Sequence, residues 1–130
     1  MPVPSDAAEA EAKRFDADPA SLTVYVLRRH WSDSSVVVPV LVDGAVSAST
    51  IPESLVRMRL KPGPHRVSAL WEGRTIDIAV AGRAGDLRVV ELIGSGWAWG
   101  TSFSWQAAQA DAVKSRAQRA KLVADLDLRR

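Results

Sequence analysis

The chain is expected to fold as an all-β protein, an antiparallel β-sandwich of seven or eight strands with a short N-terminal helix or arm and a C-terminal α-helix packed on it. Two observations carry that class. Turn signals recur about every ten residues, the spacing of a sandwich or barrel. Between them, apolar residues mostly follow the period of two that a pleated strand imposes. After Trp105 the period changes to three and four, as an amphipathic helix requires. At 130 residues the chain suits a single domain. Residues 1–20 are read as a helix or flexible arm, and residues 21–130 as the sandwich, with its closing helix over 106–126.

The elements follow in chain order. Ser5 to Asp16 is rich in Ala and Glu, with Asp6 and Glu9 spaced as a capping-box-like start, and Pro19 ends this segment. Leu22, Val24 and Val26 alternate with Thr23, Tyr25 and Leu27, which predicts a first strand apolar on both faces. His30 to Ser35 is a polar loop, and Val36 to Val42 is a β-branched run containing Pro39. The missing N–H of Pro39 predicts an edge strand or a bulge. Asp43-Gly44 is the strongest local signal, since a two-residue type I′ turn needs positive φ at both positions.

Val56, Met58 and Leu60 are expected to face inward, with Arg57 and Arg59 outward. Lys61-Pro62-Gly63-Pro64 has the proline and glycine placement of a type II turn. His65 to Trp71 and Arg74 to Val80 are the next strands, joined by Glu72-Gly73. Leu87 to Ile93 follows the turn at Gly82 to Asp86, then a break at Gly94-Ser95-Gly96. Trp97, Trp99, Phe103 and Trp105 then alternate with small residues, predicting one strand whose aromatic face fills the sandwich and whose small face receives the helix. Ala110, Val113, Ala117, Ala120 and Ala124 form the apolar stripe of that helix.

Composition narrows function by exclusion. An apolar fraction of 47% with 25% charged residues is that of a soluble globular domain. The longest apolar run, Val36 to Val42, is far short of a membrane span. With no cysteine there is no disulfide, no thiolate metal site and no thiol nucleophile in these residues. Charge is uneven: residues 1–20 carry net −3 and residues 105–130 net +3, so the two ends are expected to attract. Lys114, Arg116, Arg119 and Lys121 flank the alanine stripe on two sides and form no single patch, so nucleic acid is not expected as a partner.

Gly94-Ser95-Gly96-Trp97-Ala98-Trp99-Gly100 has the wrong glycine spacing for a dinucleotide loop, and a strand is expected to follow it where a phosphate site needs a helix. Neither His30 nor His65 has an i, i+4 partner, so no metal and no cofactor is expected. The stretch Arg28 to Ser35 brings His30, Ser32 and Asp33 together, but a catalytic triad draws its members from separate elements. A tryptophan beside arginines has instead the composition of an interface hot spot. Arg28, Arg29, His30, Trp31 and Asp33 are therefore the candidate partner- or ligand-binding residues, and no catalytic residue is expected.

Several segments taken together resemble a bacterial family of unknown function, small β-sandwich domains of the cell envelope, often lipoproteins, with a PEGA-like pattern. The matching pieces are Ala12-Lys13-Arg14-Phe15, Val24-Tyr25-Val26-Leu27-Arg28, Val40-Leu41-Val42-Asp43-Gly44 and Leu60-Lys61-Pro62-Gly63-Pro64-His65. The resemblance implies an exported β-sandwich of the periplasm or envelope with no catalytic residues to carry over. This sequence departs from it in having neither a signal segment nor a lipid-accepting cysteine: either the N-terminus is trimmed, in which case alone a lipid anchor is expected, or the start at Met1 is native and the protein is cytoplasmic. The function expected is a non-catalytic interaction or structural module binding a protein partner. The alternative is a small-molecule or glycan-binding domain using exposed tryptophans, and a hydrolase is the third and least supported reading.

Overall fold

The structure is a computed structural model, and it describes residues 4–28, 37–51, 53–97 and 100–129. Helix α1 (Asp6–Ala12) precedes β1 (Leu22–Arg28), β2 (Val38–Val42), β3 (Ala45–Thr50), β4 (Ser54–Leu60) and β5 (Gly63–Trp71). Then come β6 (Arg74–Gly82), β7 (Leu87–Trp97), β8 (Gly100–Ala108), helix α2 (Ala110–Arg119) and β9 (Lys121–Asp127). The strands form two sheets, ordered β8-β7-β1-β4-β9 and β3-β2-β5-β6. The all-β, two-sheet class with helices at both ends is the one expected.

The two larger of its three apolar clusters lie on the two faces of β1. Leu22, Val24 and Val26 of β1 meet Val40, Val42, Val56, Met58, Leu60 and Val67 between the sheets. Tyr25 and Leu27, on the opposite face of β1, join Leu55, Val89 and Leu122 in a second core that Ala12 of α1 and Val113 of α2 cover. The double burial of β1 explains a strand apolar on both sides. The Tyr25 hydroxyl donates to the Ala12 carbonyl at 2.6 Å, and its ring stacks on Phe15 at 4.2 Å. Burial pushes the Tyr25 phenol upward in pKa.

Turn chemistry behaves as the chain's local signals require. Asp43 and Gly44 have φ of 50° and 87°, and Glu72 and Gly73 have 50° and 74°, so both pairs close two-residue hairpins. Gly63 has positive φ, but the segment around it carries the chain from one sheet to the other, since β4 and β5 lie in different sheets. The N-cap of α1 is Ser5, whose Oγ accepts from the Ala8 N–H at 3.2 Å, one residue earlier than the expected Asp6 start.

Five further expectations are corrected. The pairing is mixed, because β1 runs parallel to β7 and β4 parallel to β9. There are nine described strands, because the expected helix over 106–126 is helical only over Ala110–Arg119 and continues as β9. Ala120 and Ala124 suit a helical stripe and a strand equally, and the extended Ala120 backbone switches between them. Pro39 is not on an edge: β2 lies between β3 and β5. Its ladder with β5 begins only at Val40, beside a register shift against β3, so the missing N–H is accommodated there.

The aromatic run is not one strand, since β7 continues through Gly94-Ser95-Gly96 to Trp97 and β8 starts at Gly100. Gly94 stands opposite Phe103 in that ladder. The small face of β8 does not receive the helix. Ser102 and Ser104 are exposed, and α2 instead covers Val89, Tyr25 and Leu55 on the outer face of the five-stranded sheet.

Candidate functional site: the aromatic pole of the sandwich

β1 ends, β2 begins, β5 turns into β6 and β7 turns into β8 at the same pole of the sandwich. Alternation places Arg28 on the inter-sheet side of β1, in line with Leu22, Val24 and Val26. It is 2% exposed, and its Nη1 donates to the Thr50 carbonyl of the other sheet at 2.9 Å. Its guanidinium lies 5.2 Å from the centre of the Phe103 ring, within cation–π range. Phe103 in turn meets Trp71 edge to face, with ring centres 5.1 Å apart. Burial pushes the Arg28 pKa down to about 10, so it remains a cation at neutral pH.

Around this cluster the surface is partly apolar. Val37 and Ile51 flank the Val38–Thr50 pair and are 53% and 42% exposed, the large apolar side chains most open to solvent among the described residues. On the β5–β6 side of the same pole a cleft of about 310 Å³ opens, its lining including Trp71, Arg74, Thr75, Ile76, Ser102 and Phe103. Trp105, next inward along β8, donates its indole N–H to the Ile76 carbonyl at 2.7 Å. The aromatic face of β8 therefore belongs to the core at Phe103 and Trp105. Trp99 and the side chain of Trp97 lie outside the described residues.

Of the five residues singled out in the sequence, Arg28 is placed, and it is a buried anchor of the pole. Arg29, His30, Trp31 and Asp33 lie outside the described residues. The sequence reading missed Trp71, Val37 and Ile51. Trp71 carried a signal, being the bulky member of an alternating strand next to a turn, whereas the exposure of Val37 and Ile51 depends on where two strands stop.

The other charged cluster holds elements together. Arg57, 4% exposed, forks onto Asp125 of β9 at 3.0 and 2.7 Å and pairs with Glu11 of α1 at 2.5 Å. Those hydrogen bonds outweigh burial, so its pKa is raised and the Glu11 carboxyl is held below its usual range, chiefly by the bond from Arg57. Glu9 accepts the Leu122 N–H at 2.8 Å, and Lys121 lies 3.7 Å from Glu9, so the oppositely charged ends of the chain do meet. His65 sits at the far pole, with Nδ1 2.6 Å from Asp43 Oδ2 and Nε2 2.7 Å from the Lys61 carbonyl.

No protein-family model matches the chain, and no curated protein matches it. No described helix is long and apolar enough to cross a membrane.

Proposed function

We propose that the protein is a non-catalytic interaction module that binds a protein partner through the aromatic pole. The observation that carries this reading is the joint placement of a buried cation–aromatic cluster and two exposed aliphatic side chains at one end of the fold. Trp and Arg are among the residue types enriched in interface hot spots, and apolar side chains form the centre of such patches. An address in the bacterial envelope rests on the family resemblance alone, and fractionation of the host's cells tests it.

The partner reading is tested by a photo-crosslinking residue placed at Val37 or Ile51, and for comparison at Arg83 near the far pole, in the host cell. A discrete adduct from Val37 and Ile51, absent from Arg83 and lost when Trp71 is also replaced by Ala, is the expected result. Equal labelling from both poles, or none, overturns the proposal. The Trp71–Phe103 cleft favours a second reading, a small aromatic-stacking ligand such as a sugar ring. A glycan panel that shifts tryptophan emission in the wild type and not in Trp71→Ala would establish it in place of the protein partner.

A further inference from the structure

Where β6 and β8 run side by side, the gap between the two sheets is closed along part of its length. Trp105 spans it, its indole N–H donating to the Ile76 carbonyl at 2.7 Å. Toward the pole opposite Trp71 the residues that follow are short, Ala107 and Ala108 on β8 and Ala79 and Ala81 on β6. A cleft of about 570 Å³ opens between them, within the size range of small-molecule sites.

Its floor is Val80 and Val90 of the inter-sheet core. From there it bends round the end of β8 to Phe15 and Leu87, which pack on the outer core. Phe15 holds a φ of 56°, unusual for a bulky residue, and its ring stacks on Tyr25 at that end of the cleft.

Of the described residues lining the cleft, only Arg88 is charged. Alternation places it on the same side of β7 as Val90, and its Nε donates across the gap to the Ala81 carbonyl at 3.1 Å. Nη1 donates to the Leu87 carbonyl at 3.1 Å and Nη2 to Asp86 Oδ2 at 3.3 Å. The fork is thus fixed by the backbone and keeps one further N–H on each terminal nitrogen. Asp86 offsets part of the charge, but the same oxygen also accepts the Arg83 N–H at 2.8 Å.

We propose that this cleft binds a flexible aliphatic carboxylate, its chain along the alanine walls and its head group on Arg88. A bent apolar channel suits a chain that can turn better than a rigid ring. Two parallel donors on a guanidinium match a carboxylate better than a neutral head group. The site lies at the pole opposite Trp71, so the inference is independent of the partner proposed there.

Decanoate is the probe, titrated into the full chain below its micelle concentration and followed by amide chemical shifts, with decanol for comparison. Saturable shifts are expected around Phe15, Val90 and Ala108, with decanoate bound about tenfold tighter than decanol. Arg88→Gln should abolish that preference while decanol still binds. Ala107→Leu, at an exposed position on the Val90 side of β8, should weaken both ligands, and Trp71→Ala should change neither. The inference is overturned by the absence of saturable shifts, by shifts centred on Val37 and Ile51, or by decanoate binding no tighter than decanol. A preference that survives Arg88→Gln, or binding that survives Ala107→Leu unchanged, overturns it too.

Discussion

Arg57 shows how far a single residue outruns its place in a pattern. Alternation along β4 places it on the face opposite Met58, as expected of an outward residue, but the helix α1 lies over that face and the guanidinium is buried. There it joins β4 to β9 through Asp125 and to α1 through Glu11. Arg57→Ala leaves two carboxylates facing one another without their cation, so a loss of roughly 3 kcal/mol is expected in urea denaturation. An unshifted midpoint would mean that the pair contributes nothing. The same lesson holds for Gly82, where a Cβ would stand 2.6 Å from Leu22 Cδ1. Its sequence context announces a turn, and only the fold adds that the inter-sheet core closes against it.

At the scale of elements, the clip between the β2–β3 turn and the start of β5 responds to pH. Both nitrogens of His65 approach acceptors, the Asp43 carboxylate and the Lys61 carbonyl, so both carry hydrogens and the ring is the cation. Burial works against that charge, but the two bonds outweigh it and raise the His65 pKa. Asp43 is likewise opposed by burial, yet is lowered by the Arg66 N–H and by His65.

The signs follow from linkage. The His65 contribution is complete below its unfolded pKa of about 6.5 and is lost as pH rises through the higher folded value. That of Asp43 is present above its unfolded value of about 3.9 and is lost as pH falls through the lower folded one. The clip is therefore strongest from about pH 4 to 6.5. Thermal melts at intervals from pH 5 to 9 should show His65→Asn losing less stability on the alkaline side than the wild type. Parallel profiles would rule the clip out. Nothing in His65 alone announces this role, because Asp43 is 22 residues away and only the crossing of β4 to β5 brings them together.

For the whole molecule, the decisive element is β9. It runs parallel to β4, fills both cores through Leu122 and Ala124, and receives α1 on its outer side. A chain ending at Ala120 would expose the β4 edge and strand Arg57 without Asp125. We expect it to lose its cooperative urea transition, as followed by circular dichroism. A sharp two-state transition in the shortened chain would assign β9 a peripheral role.

Much of this molecule is local chemistry and was open to reading from residue order. The Asp43-Gly44 and Glu72-Gly73 hairpins, the two-sided burial of β1 and the inward set Val56, Met58 and Leu60 all follow from backbone sterics and a period of two, which act between near neighbours. The pairing of strands far apart in the chain is another matter. An apolar face carries no label for its partner, so the parallel contacts of β1 with β7 and of β4 with β9 had no sequence signature. For the same reason an alanine stripe could not distinguish the end of α2 from β9. The pole that gathers Arg28, Trp71 and Phe103 exists only once the two sheets have closed on each other. Burial and edge exposure are properties of the packed whole.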